Sequence, residues 1–234
     1  MKKILILLMT VAAFSFNTQA QMWLTLKGGG GIAVANGSDG AQAGISVLSG
    51  VGYKHQIYKK ISLEGDILLD TRAVSYLTGS ADAEDFFVGG GTYIQVPVTA
   101  QYMIPFRKRE LAPYRVGQPD GYLFLEAGPY FSYGTSVSVY IDQTIIASAE
   151  SQDDPITEAN QKGNAIDIGI TTGLGFNFGI NGGKNRLILG TRTNYGFIDA
   201  YKDARLGSAT NLSVVGYLAL DFSLTKRKHI KHRW

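Results

Sequence analysis

Over most of its length the chain alternates apolar and polar residues at every second position, a period that fits β-strands and does not fit helices. Ile61–Ser75 is the clearest run: Ile61, Leu63, Ile67 and Leu69 point one way, while Ser62, Glu64, Asp66, Asp70 and Arg72 point the other. Ile94, Val96, Val98, Ala100, Tyr102 and Ile104 face away from Gln95, Thr99 and Gln101. Ile166, Ile168, Ile170, Leu174, Phe176 and Phe178 oppose Asp167, Thr171, Asn177 and three glycines; Leu212, Val214, Leu218, Leu220 and Phe222 oppose Asn211, Ser213, Tyr217 and Asp221. Trp23–Ala35, Ala43–Tyr58, Gly121–Val137 and Arg186–Phe197 bring the set to eight. Each is long enough to supply the roughly 9–11 residues of a tilted membrane-crossing strand. Asn36-Gly37, Lys59-Lys60, Thr78-Gly79, Pro105, Gln118-Pro119-Asp120 and Asn181-Gly182-Gly183 supply turns between them.

An even number of antiparallel strands joined in sequence predicts an all-β fold, an eight-stranded up-and-down transmembrane β-barrel over 21–225. Ser136–Ile141 and Thr144–Ser148 flank Asp142-Gln143 as a hairpin above the membrane; were it to cross the bilayer, the barrel would have ten strands. Alternation alone leaves open a soluble barrel with its apolar face inside. Composition favours the reverse. Charged residues are 18% of the chain, against about 25% in soluble domains, and the polar face is rich in Gly, Ser, Thr and Asn rather than Lys and Glu. Aromatic residues gather near strand ends, as in membrane barrels: Tyr53, Tyr58, Tyr102, Phe106 and Tyr122 at one rim, and Tyr76, Tyr93, Phe131, Tyr133, Tyr195 and Phe197 towards the other.

Lys2 and Lys3, the apolar run Ile4–Phe16 and Ala20 read as a signal peptide over 1–20, too short to span a membrane. The destination expected is the outer membrane. The net charge of +3 is misleading, because Lys2, Lys3, Lys226, Arg227, Lys228, Lys231 and Arg233 lie in the leader and in a basic tail, 226–234. Without those seven, 15 basic residues face 19 acidic ones. With both barrel ends in the periplasm, the connections there hold Lys54, Lys59, Lys60, Arg107, Lys108, Arg109, Arg115, Lys184 and Arg186 against Glu110 and Asp120. The opposite set holds Asp39, Asp82, Glu84, Asp85, Asp142, Glu150, Asp153, Asp154, Glu158, Asp199 and Asp203 against Lys162, Lys202 and Arg205. This asymmetry played no part in placing the strands, so it supports their number.

The inward face carries Glu64, Asp66, Asp70, Arg72, Glu126, Asp167, Arg192 and Asp221, with Lys27 a further candidate. Eight strands enclose a space just wide enough for side chains, so these residues are expected to form a paired polar network; an ion or proton path is the competing reading. No catalytic residue, cofactor site or metal site is assigned. With no cysteine, the chain has no disulfide, thiolate zinc site, thiol nucleophile or lipid-anchoring cysteine. His55, His229 and His232 all fall at the periplasmic end, away from where a lipid-hydrolysing dyad would face the outer leaflet. Gly28–Gly31 lacks the Lys-Ser/Thr of a phosphate loop and is read as a place where strands approach closely or bend sharply. Glu150, Asp153, Asp154 and Glu158 lack EF-hand spacing and read as a solvated acidic loop, with Ca²⁺ binding as the alternative. The partners expected are outer-membrane lipid and lipopolysaccharide, with an envelope protein as a further candidate, for a monomer that does not bind nucleic acid.

Several strands also carry recognisable motifs. Tyr93-Ile94-Gln95-Val96-Pro97-Val98 with Gln101-Tyr102, Ala127-Gly128-Pro129-Tyr130, Asp167-Ile168-Gly169 running to Gly173-Leu174-Gly175, and Thr191–Ile198 resemble strands of the Gram-negative outer-membrane β-barrel family that includes the PorT-like proteins. Thr193 stands where that family usually has Tyr, with an aromatic two places on at Tyr195. The resemblance covers nearly all of 21–225 and implies fold and compartment. It does not imply a secretion role, and many members have no assigned activity.

Overall fold

The computed structural model describes residues 21–37, 41–58, 60–78, 85–107, 121–141, 164–180, 185–199 and 209–224. The expected leader and the basic tail lie outside these residues, as do most of the connections whose charges give the expected orientation. Eight long strands are present: β1 (Met22–Asn36), β2 (Gly44–Tyr58), β3 (Ile61–Thr78), β4 (Asp85–Arg107), β5 (Gly121–Ile141), β6 (Ile166–Ile180), β7 (Asn185–Asp199) and β8 (Thr210–Ser223). A two-residue piece, Ala41–Gln42, pairs with β3 at Tyr76 and Ser75.

Every strand pairs antiparallel with its neighbours in sequence, and β1 pairs with β8 from Trp23↔Ser223 to Asn36↔Thr210. The sheet is therefore a closed eight-stranded up-and-down barrel. A ten-stranded count is excluded, because β5 pairs directly with β6 from Gly121↔Phe178 to Tyr133↔Ile166 and leaves no place for an added hairpin. Above Gly134, β5 continues to Ile141 alongside β4, so its upper end forms a ladder with β4. The second half of the expected hairpin, 144–148, is outside the described residues.

The register fixes the tilt. Paired Cα positions followed once round the barrel run Met22, His55, Leu63, Ala100, Ala127, Thr172, Thr193, Val214 and back to β1 at Ile32, a stagger of ten residues (32 − 22 = 10). Ten residue steps of about 3.3 Å over eight strand spacings of about 4.7 Å give a strand tilt of about 40°. At that tilt about ten residues cover the roughly 25 Å apolar band of an outer-membrane barrel.

The two faces of the wall differ as the alternation predicts. Asp66 is 2% exposed and its neighbour Ile67 60%; Asp70 is fully buried while Leu69 is 52% exposed. Outward positions on all eight strands are lined with Ile, Leu, Val, Phe and Tyr, and the polar residues meet inside. This is a wall built for a surrounding apolar solvent. Burying so many acidic and basic side chains in so narrow a space is tolerable only because they pair with one another.

Close strand approach accounts for two of the four glycines in the run, Gly29 and Gly31, whereas a Cβ on Gly28 would meet nothing within 4 Å and one on Gly30 would make only an ordinary contact at 3.7 Å. A Cβ on Gly31 would lie 1.9 Å from the Val214 carbonyl oxygen, and one on Gly29 would lie 2.4 Å from that of Gly216. Gly28–Gly31 therefore belongs to the β1–β8 seam, with no helix after it to hold a phosphate.

Candidate functional site: the luminal charge network

The structure places all eight predicted luminal residues, and Lys27, inside the barrel and nearly or wholly out of solvent. They sort into two clusters. The lower one lies towards the strand ends that carry the termini. There Lys27 Nζ lies 2.8 Å from Glu64 Oε1 and 2.7 Å from Asp66 Oδ2, and Lys54 Nζ lies 3.5 Å from Glu64 Oε2 and 2.9 Å from Asp221 Oδ2. Arg192 ties Asp66 (Nη1 to Oδ2, 3.0 Å) to Glu126 (Nε to Oε1, 2.9 Å). Gln101 closes the circuit, its Nε2 donating to Glu64 and, at 2.9 Å, to Glu126 Oε2. Thr25 Oγ1 donates to Asp221 Oδ1 at 2.7 Å. Lys27 and Arg192 both lie 5.5 Å from the centre of the Tyr217 ring, within cation–π range.

Among the described residues, the upper cluster has one cation. Arg72 Nε and Nη2 donate to Asp70 Oδ2 at 2.8 and 2.6 Å, and its Nη1 reaches Asp167 Oδ2 at 3.3 Å. Neutral donors complete it: Ser46 Oγ to Asp70 Oδ1 (3.2 Å), and Tyr130 Oη (3.0 Å) and Asn211 Nδ2 (3.2 Å) to Asp167 Oδ2. The Tyr93 ring lies under the guanidinium, its centroid 5.3 Å away. Room for carboxylates of both clusters comes from glycines on the neighbouring strands. A Cβ on Gly52 would meet Asp66 Oδ1 at 2.0 Å, and one on Gly196 would meet Asp167 Oδ1 at 2.5 Å.

Apolar side chains fill much of the rest. Leu48, Leu68 and Val215 form one buried group, and Met103, Phe124, Ile188, Tyr217 and Ala219 form another, with Tyr122 packed on it. Next to these, Arg186 lies 4.3 Å from the centre of the Trp23 ring and 5.2 Å from that of Tyr122. Charged and apolar side chains of the protein thus occupy much of the interior.

Four residues lie elsewhere than the sequence predicts. Lys54 and Arg186, expected in periplasmic connections, are buried in the lumen on β2 and β7. Tyr93, expected at a rim, is 3% exposed beneath Arg72, and Tyr122 turns in towards Arg186 and the apolar cluster. Tyr53, Tyr58, Tyr102, Phe131, Tyr133, Tyr195 and Phe197 do face outward. The side chains of Tyr76 and Phe106 are outside what is described. His55 lies near the end of β2 on the side of the termini, stacked with Tyr53 at 6.4 Å between ring centres. His229, His232 and the acidic residues Glu150, Asp153, Asp154 and Glu158 are outside the described residues.

No protein-family model and no curated protein matches the chain. Among solved structures, it is similar to Neisserial surface protein A at 9% identity and a TM-score of 0.47, covering 88% of this chain and 100% of that one. The outer membrane protein OprG from Pseudomonas aeruginosa is 10% identical with a TM-score of 0.47, covering 88% and 97%. For the N-terminal β-barrel domain of Pseudomonas aeruginosa OprF the values are 10% identity, a TM-score of 0.40, and 87% and 97% coverage. The eight-stranded closure stands on the strand register of this chain itself.

Proposed function

We propose that the chain is a monomeric, non-enzymatic outer-membrane β-barrel with a structural or interaction role, exercised through its exterior loops or its periplasmic face. One observation carries this reading: the charged side chains of the lumen pair with one another across it, inside a wall whose outer face is apolar. A plugged barrel leaves the connections and the rims as the surfaces open to a partner, with lipid and lipopolysaccharide around the wall and an envelope protein at either end.

The motifs on which the PorT-like resemblance rests meet near the same site. Tyr93, Gln95 and Pro97 on β4, Tyr130 on β5, and Asp167 and Gly169 on β6 come from three of the motifs and sit on adjoining inward rows. Tyr130 packs over Gly169, where a Cβ would meet its ring at 2.7 Å, and its hydroxyl bonds Asp167. The shared motifs describe one corner of a barrel interior, so the kinship they support is one of construction.

Heat-modifiable gel migration of protein extracted from outer membranes tests the class; recovery as a freely soluble periplasmic monomer would sink it. Planar-bilayer recordings are expected to show no stable channel, and steady conductance would replace the plugged barrel with a small pore. Lipid-hydrolysis assays are expected to be silent. Leu218→Arg, on the outer face of β8, is expected to cost about 2–4 kcal/mol in bilayers if it lies near mid-membrane.

A further inference from the structure

Between the two ionic clusters lies a region that is polar but unpaired. Gln95 and Thr99 on β4, Ser132 on β5 and Thr171 on β6 face the lumen and are wholly buried. Among the described residues, the amide oxygen and nitrogen of Gln95 and the three hydroxyls meet no hydrogen-bond partner. Asn194 on β7 extends the set: its Nδ2 donates to Ser213 Oγ at 3.2 Å, while its Oδ1 is unmet.

The register shows where these groups lie. Gln95 is paired with Ser132 and Ser132 with Asp167, so that row ends in the upper cluster. Thr99 is paired with Glu64 of the lower cluster, and Thr171 with Asn194. The next inward row below is Gln101, Glu126, Gly173 and Arg192, which belongs to the lower cluster. The unmet groups therefore occupy the rows that separate the two.

The backbone is interrupted in the same patch. The β3–β4 pairing passes from Gly65↔Val98 to Leu68↔Gln95, and the β4–β5 pairing from Pro97↔Tyr130 to Ala100↔Ala127. Pro97 and Pro129 fall at these breaks, and neither has an N–H to give the ladder. Missing backbone donors and unmet side chains thus coincide on one wall of the lumen.

Buried polar groups that the protein does not satisfy are met by ordered water, which takes roughly two to four partners. Hydroxyls and an amide both donate and accept, as water does. A cation would use their acceptors alone and would sit between Arg72 and Arg192. We propose that Gln95, Thr99, Ser132, Thr171 and Asn194 bind a small cluster of internal water molecules that joins the two ionic clusters into one hydrogen-bonded column.

The test uses the full barrel refolded in lipid, with Thr99→Val, Thr171→Val and Ser132→Ala made singly. Each is nearly isosteric and removes a hydroxyl. If water bridges these groups, the thermal midpoint of the heat-modifiable transition falls by about 2–4 °C per variant. Water-to-protein nuclear Overhauser contacts at residues 95, 99, 132 and 171 accompany this in the unmodified chain and weaken in the variants. If the midpoint rises instead, because an unmet hydroxyl has been relieved, and no water contacts are seen, the proposal is overturned. A midpoint that depends on potassium or sodium but not on choline chloride would overturn it in favour of a cation. Should a variant fail to fold, the water contacts of the unmodified barrel decide alone.

Discussion

The two luminal clusters hold the same kinds of charge in different ways. In the lower one, each of Lys27, Lys54 and Arg192 touches two carboxylates, and Glu64, Asp66 and Glu126 each have more than one donor. In the upper one, among the described residues, Asp70 and Asp167 share Arg72 and are otherwise held by neutral donors. The lower cluster is a mesh that spreads a loss over several partners, whereas the upper cluster hangs on one guanidinium. Stability should follow that difference in connectivity rather than the number of charges.

The largest test is Arg72→Met. It leaves two buried carboxylates without their cation, a loss expected to cost about 3–5 kcal/mol in urea unfolding from lipid. Adding Asp70→Asn and Asp167→Asn to that variant should recover most of the loss, since neutralising a whole buried group is far cheaper than stranding part of it. Arg192→Met should cost less, about 2–3 kcal/mol, because Asp66 keeps Lys27 and Glu126 keeps Gln101. If Arg192→Met proves the more damaging, the contrast between mesh and single cation fails. The smallest change is Tyr130→Phe, which removes one donor of three from Asp167 and should cost about 1–2 kcal/mol by the same measurement.

Much of this was legible in the sequence through parity alone. On β3 the even positions from Ser62 to Val74 are buried without exception, and Glu64, Asp66, Asp70 and Arg72 are among them. The misplaced residues are informative because they obey the same rule. Lys54 is in phase with Ser46 and Leu48, Arg186 with Ile188 and Arg192, Tyr93 with Gln95, and Tyr122 with Phe124 and Glu126. Chemical type near a strand end points basic residues to connections and tyrosines to rims, but position in the alternation decides the direction of each. Pairing partners were a different matter. Lys54 meets Asp221 and Arg192 meets Asp66 across the barrel's closure and stagger, which no local pattern encodes.

The unpaired groups were equally hidden. Gln95, Thr99 and Thr171 read correctly as inward-facing, but a hydroxyl's lack of a partner depends on what the facing strands happen to leave beside it. The two prolines in the middle of strands were the available signal, since a residue without an N–H weakens any ladder it enters.

The wall's strict two-sidedness also limits how the chain can change in length. One residue added within a strand would turn the remainder of that strand inside out, pushing carboxylates and guanidiniums into hydrocarbon and drawing leucines into the charged interior. The connecting segments carry no such alternation, so lineages of this barrel should vary freely in the lengths of their loops while the strands between the rims stay in frame.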